Sequence, residues 1–273
     1  MKKKTSNVIL ILVFIIGLSL LLYPVVSDYW NSFHQTRAIA TYMEAVTHID
    51  NAEYEKIWKD ARAYNEKLKL KSDRWVLSDR EKEEYMKVMD ASGTGIMGYV
   101  EIPVINCELP IYHGVDESVL QIAIGHIEGS SFPTGGLGNH SVLSGHRGLP
   151  SAKLFSDLGK LTEGDIFILQ VVNQTLTYEV DKISIVLPND LDELQLVEGK
   201  DYCTLVTCTP YGVNSHRLLV RGHRIENQEG IEGLRVTPDA RQVEPLIVAP
   251  VVAAPILLIL LIILLTKTSG RRK

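Results

Sequence analysis

The chain has 273 residues and a formal net charge of −5, a balance that excludes a basic nucleic-acid footprint. Its three cysteines, Cys107, Cys203 and Cys208, exclude a disulfide framework. With an apolar run near each end, the remainder is long enough for one domain with an appendage.

Met1-Lys2-Lys3-Lys4 precedes an apolar run from Val8 to Val26, whose only polar side chains are Ser19 and the amphipathic Tyr23. That length suits a membrane-spanning helix. A signal peptide has a similar pattern, but no small-x-small cleavage site follows, so residues 1–27 read as a retained anchor. Residues 28–95 form the next unit. Trp30, Phe33, Tyr42, Val46 and Ile49 recur at helical spacing, and Ile57, Trp58, Ala61, Tyr64 and Leu68 continue the stripe. An interruption is expected at Asn51-Ala52-Glu53. The stripe predicts packing on the folded domain, because the segment is not rich in basic residues.

Residues 69–77 have weak periodicity and read as a loop carrying Asp73 and Trp75. Ser78 with Glu81 fits a capping box that opens a second helix, and Asp90 to Gly95 supplies turn residues that close it. From residue 96 to 225 the pattern changes to short strands. They are expected at Tyr99–Ile105, Leu109–Tyr112, Ser141–Ser144, Ile166–Val171, Thr175–Val180, Ile183–Val186, Thr204–Cys208 and Arg217–Val220. Short helical turns fit Ser151–Leu158 and the stretch from Glu193. Many short strands without long intervening helices predict a mostly β barrel or sandwich.

Residues 226–244 are polar and read as a tether. A second apolar run, Pro245 to Leu265, predicts another membrane span over residues 245–266. The tail, 267–273, holds Lys267, Arg271, Arg272 and Lys273. Basic clusters outside both runs place both termini in the cytoplasm and the middle of the chain outside.

Chemistry is concentrated around Thr204-Leu205-Val206-Thr207-Cys208. Cys203 and Cys208 are an odd number of residues apart and so point to opposite faces of one strand. Cys208, at the strand end before Pro210, suits a nucleophile, while Cys107 and Cys203 suit buried positions. A thiol needs help to become a thiolate, and acyl transfer needs a donor for the developing oxyanion. Arg217 or Arg221 can supply that donor. His146, in Leu143-Ser144-Gly145-His146-Arg147-Gly148, suits the general acid/base, with His140 and His216 as alternatives. No metal or cofactor site is expected: there is no C-x-x-C, no H-E-x-x-H and no phosphate loop. Asn173-Gln174-Thr175 fits a glycosylation acceptor only as a short motif.

Thr204 to Gly222, TLVTCTPYGVNSHRLLVRG, resembles the class C sortases that polymerise pili on Gram-positive bacteria. The runs Gly98 to Gly114 and Leu143 to Phe155 carry further resemblance, which covers about Gln35 to Ile225 and both apolar ends. It implies an eight-stranded sortase β-barrel with N-terminal helices and a lid. It also implies that Cys208 is the nucleophile, His146 the general acid/base, and Arg217 the residue for the oxyanion and substrate positioning. His140 and His216 become structural candidates. The family's lid carries an Asp-Pro-aromatic motif, and Asp73-Arg74-Trp75 matches it with arginine in place of proline. Asp73 is expected to pair with Arg217 and Trp75 to cover Cys208. Loss of the proline removes a fixed φ and is expected to loosen the lid.

The implied partners are pilin subunits with an LPxTG-like sorting signal and an acceptor lysine, together with membrane lipid. Two rivals remain at this stage. One is a sortase that anchors proteins to cell-wall precursor. The other is a noncatalytic, membrane-tethered β module that binds peptides.

Overall fold

The computed structural model describes residues 2–227 and 253–263. Helix α1, Lys2–Thr47, runs without a break from the basic start through the apolar run and beyond it. Within it, Asn7–Thr47 is long and apolar enough to cross a bilayer, with a most apolar window of mean hydropathy 2.9 and none of that window buried. Pro24 lies inside the helix. No break interrupts the backbone ladder at residue 27, so the apolar run and the helix that follows it are one rod.

The expected interruption at Asn51-Ala52-Glu53 falls earlier, at residues 48–50. Asn51 already begins helix α2, Asn51–Lys69, because the Asp50 carboxylate accepts from the Glu53 amide and acts as N-cap. Helix α2 buries Trp58, Ala61 and Leu68 of the predicted stripe, packs Ile57 and Tyr64 partly against the core, and also buries Asn65, which the stripe does not include. Trp58 Nε1 donates to Asn173 Oδ1 at 2.8 Å, which gives the sequon asparagine a structural partner. Asn65 Nδ2 donates to Phe132 O, and its Oδ1 accepts from the Phe132 amide. Helix α3, Asp79–Tyr85, opens with the predicted Ser78–Glu81 capping box.

Eight strands follow: β1 Ile96–Ile102, β2 Cys107–His113, β3 Ile124–His126, β4 Asn139–Ser144, β5 Ile166–Val171, β6 Gln174–Val186, β7 Asp201–Thr209 and β8 His216–Ile225. Helix α4, Glu117–Leu120, links β2 to β3. The strands close into a barrel in the order β1-β2-β3-β4-β7-β8-β6-β5. Pairs β2–β3 and β4–β7 are parallel and the rest antiparallel. The alternation of apolar residues explains closure. Val100, Ile102, Leu109, Ile111, Leu143, Phe167, Leu169, Leu205 and Val220 all fill one core. Burying each such side chain contributes about 1.5–3 kcal/mol. Gly222 is required there, since a Cβ would stand 2.7 Å from the Phe167 ring.

Two expectations are refined. Residues 175–180 and 183–186 are one strand, β6, with a register shift between Val180 and Lys182. The turns expected at Ser151–Leu158 and from Glu193 are 3-10 turns at Leu154–Lys160 and Asp192–Leu194. Past Asn227 the tether lies outside the described residues, as does the basic tail. Among the described residues, helix α5, Ala253–Ile263, is apolar and shorter than a bilayer-spanning helix. The rest of the expected second span lies outside the described residues.

Register gives the barrel two distinct ends. β4 and β7 both finish, and β8 begins, at what we call the mouth. The β5–β6 hairpin turn and the start of β7 lie at the far end.

Candidate active site

Cys208 sits at the mouth end of β7, and its register partner across the β7–β8 ladder is Arg217. Both are half-buried on the outer face. Alternation along β7 turns Cys203, Leu205 and Thr207 inward and Thr204, Val206 and Cys208 outward. The opposite orientation of Cys203 and Cys208 therefore holds. All three thiols are free. Burial pushes the Cys107 thiol up to about 12 and the Cys203 thiol well above its ordinary value, which makes both inert.

His146 reaches the same end from β4. Ser144 pairs with Val206, and the Gly145 amide donates to Val206 O at 3.0 Å. Thr207 Oγ1 donates to Gly145 O at 2.8 Å. A Cβ at Gly145 would lie 2.7 Å from Ile124 and 2.8 Å from Phe155, so only glycine permits this approach. His146 is the next residue and emerges at the mouth. Its Nε2 is buried without a hydrogen-bond partner, and Glu117 Oε2 lies 3.7 Å away. No hydrogen bond of the fold therefore occupies Nε2 of His146.

Arg147 Nη1 donates to Thr209 Oγ1 at 3.2 Å. Gly148 has a φ of +76°, and a Cβ there would collide with the Tyr211 ring at 2.4 Å. The loop after Cys208 therefore rests on the turn after His146. Neither Glu117 nor Tyr211 has a sequence signature; both are found only through folding.

The two alternative histidines, His140 and His216, make contacts within the fold. His140 is buried, its Nδ1 facing Gln195 O and its Nε2 facing Thr204 Oγ1, and desolvation lowers its pKa to about 4. His216 Nδ1 meets Ser215 Oγ. Arg221, the alternative guanidinium, is held by both oxygens of Asp181 and stacks 4.2 Å over the Tyr202 ring.

Asp73 and Trp75 lie in the irregular segment between α2 and α3. The expected Asp73–Arg217 ion pair is not formed. Asp73 is exposed, and Arg217 Nη1 donates instead to Asn214 O and His216 O of its own loop. Trp75 packs against the outer-face cluster of Val142, Leu194, Val206 and Leu219. The indole thus packs on the face of β7 that also carries Cys208, against Val206, one strand repeat before the thiol it is expected to cover. The expected loosening by Arg74 is also overturned. Arg74 is 6% exposed, donates to Gly129 O and Leu194 O, and stacks 4.1 Å over Trp75. Burial lowers its pKa only to about 10, so it stays charged. The arginine replaces a fixed φ with side-chain anchors, which a backbone reading could not show.

The sortase-domain family profile matches residues 100–225. The chain is similar to sortase C1 of Streptococcus agalactiae, at 55% identity with a TM-score of 0.68, covering 70% of this chain and all of that one. It is also similar to Streptococcus pneumoniae sortase C, at 46% identity and TM-score 0.64, covering 70% of this chain and 97% of that one. Sortase D of Bacillus subtilis is 35% identical over 131 residues, which are 47% of this chain and 63% of that protein.

Proposed function

The chain belongs to the sortase family, in its class C branch, and on that premise we propose that it is a cysteine transpeptidase that joins pilins into a polymer. Cys208 attacks the Thr–Gly carbonyl of an LPxTG-like sorting signal. A carbon–sulfur bond forms, the carbon–nitrogen bond breaks, and His146 gives its proton to the departing glycine amine. A lysine amine of the next pilin attacks the thioester. The isopeptide bond forms, the carbon–sulfur bond breaks, His146 takes the proton from the lysine nitrogen, and Cys208 returns to the thiolate that began the cycle. Arg217 donates to the oxyanion in both halves and positions the peptide. The pairing of Cys208 with Arg217 beside the end of β4, where His146 emerges, carries this reading. The pilin substrate specificity named for the Streptococcus pneumoniae relative supports the substrate class.

Residues 69–77 act as a lid over the groove, with Asp73 and Trp75 at its centre. The barrel works outside the cell, anchored by α1, with the basic start in the cytoplasm. A second span over residues 245–266 and a cytoplasmic tail complete the topology.

The test uses the full chain in membranes with candidate pilin pairs, read by intact mass. A joined product that has lost the peptide after threonine, and that vanishes in Cys208→Ala, supports polymerisation. Transfer only to a wall-precursor amine makes the enzyme an anchoring sortase. Peptide binding with no acyl intermediate makes it a binding module.

A further inference from the structure

Five hydrogen bonds, made by four residues of α1, fix how it lies along the barrel. The Asp28 carboxylate accepts from the Lys153 amide at 2.7 Å, and Asn31 Nδ2 donates to Ser151 O at 2.7 Å. Both partners belong to the loop that follows His146, at the mouth. Gln35 Nε2 donates to Ile122 O, just before β3 starts at that same end. Tyr42 Oη donates to Met97 O and accepts from the Val172 amide, beside the hairpin turn at the far end. Helix α1 thus meets the mouth first and the far end about 20 Å later, at 1.5 Å per residue.

The direction matters because the apolar run of α1 ends at Val26, two residues before Asp28. Tyr29 and Trp30, 74% and 64% exposed, follow at once, where interfacial aromatics belong. The headgroup zone on each side of a bilayer is only roughly 5–8 Å deep. The loop bonded to Asp28 and Asn31 is therefore held at that depth. The mouth also carries exposed apolar side chains, Tyr211 at 64% and Val213 at 70%, in the loop after Cys208.

We propose that the mouth of the barrel, not its side or far end, rests on the lipid headgroups, with residues 149–153 and 211–213 as the contact surface. The nucleophile then opens toward a substrate segment lying at the bilayer surface. This rests on the reading of α1 as a membrane span.

The experiment uses the full chain in lipid nanodiscs with Cys208→Ala, which leaves the inert thiols of Cys107 and Cys203. Single cysteines for a fluorescent label are introduced as Val13→Cys in the span, Pro150→Cys and Val213→Cys at the mouth, and Glu198→Cys at the far end. Lipids bearing a headgroup-level nitroxide supply the quencher. Loss of emission at Pro150→Cys and Val213→Cys, with none at Glu198→Cys, supports the proposal. Quenching at Glu198→Cys, or emission at both mouth positions as unquenched as at Glu198→Cys, overturns it while Val13→Cys still reports acyl-chain depth. If Val13→Cys reports water, the membrane reading of α1 fails, and the proposal falls with it.

Discussion

Cys208 and Arg217 stand directly opposite each other across the β7–β8 ladder, both on the outer face of the barrel. A directly opposed pair on one face has Cβ atoms roughly 4.5–5.5 Å apart. On the proposed mechanism, a carbonyl carbon held at the thiol turns its developing oxyanion toward Arg217. Arg217→Ala should lower kcat/KM on the order of 10²-fold, mostly through kcat, because the donor acts on the transition state. Arg217→Lys should recover only part, since the planar fork is lost. An effect confined to KM would reassign Arg217 to peptide binding.

Among the thiols, only Cys208 should form the acyl intermediate. Cys203→Ala should retain turnover and lose about 1 kcal/mol of stability, as it empties volume in the closed core. Mass analysis of trapped acyl-enzyme and urea unfolding check the two halves. An acyl adduct on Cys208→Ala would end the catalytic reading.

The segment at residues 69–77 should be governed by Arg74. Arg74→Ala leaves the carbonyls of Gly129 and Leu194 without their donor and removes the stack on Trp75. A stability loss of about 1–3 kcal/mol is expected. Alkylation of Cys208 should become faster. Arg74→Pro should act in the same direction, since the ring cannot replace the two bonds. Asp73→Ala alone should leave the alkylation rate unchanged, because Asp73 makes no ion pair with Arg217. A rate that rises for Asp73→Ala and not for Arg74→Ala would refute this assignment.

Glu117 is the carboxylate 3.7 Å from His146 Nε2, yet its side chain is 72% exposed. Exposed pairs contribute about 0.2–1 kcal/mol. Glu117→Gln should therefore change kcat by no more than about fivefold. A loss on the order of 10²-fold would instead make Glu117 a true orienting partner of the imidazole.

Acid should destabilise the barrel before its carboxylates titrate. Desolvation holds His126 and His140 at about 3 and about 4, well below 6.5 for the unfolded chain. Below pH 6.5 the unfolded state binds more protons, so stability falls as pH drops toward 4. With both histidines the slope approaches about 2.7 kcal/mol per pH unit. Urea unfolding of the parent and His140→Gln between pH 7 and 4.5 checks this. The variant should show the shallower slope; parallel curves would exclude His140 as a source.

Much of the site was legible because strand alternation and a short motif both point at Cys208. The strand over residues 166–171 and the Ser78–Glu81 box follow from local pattern alone. Strand β3 escaped because three residues cannot show a period. Glu117 escaped because its place beside His146 depends on β3, itself unread in the sequence, pairing antiparallel with β4. Arg74 was misjudged for a related reason. Its backbone cost is written at its own position, whereas its compensation comes from Gly129 and Leu194, carbonyls supplied by two other loops.

The parallel β4–β7 pairing has a consequence for the history of each molecule. Such a pair cannot form by a tight hairpin, and here its catalytic ends are 62 residues apart (208 minus 146). Contacts of that range form slowly, after the local ones. On the proposed mechanism, the imidazole of His146 and the thiol of Cys208 come together only once the seventh strand has paired with the fourth, so acyl transfer follows that long-range step of folding.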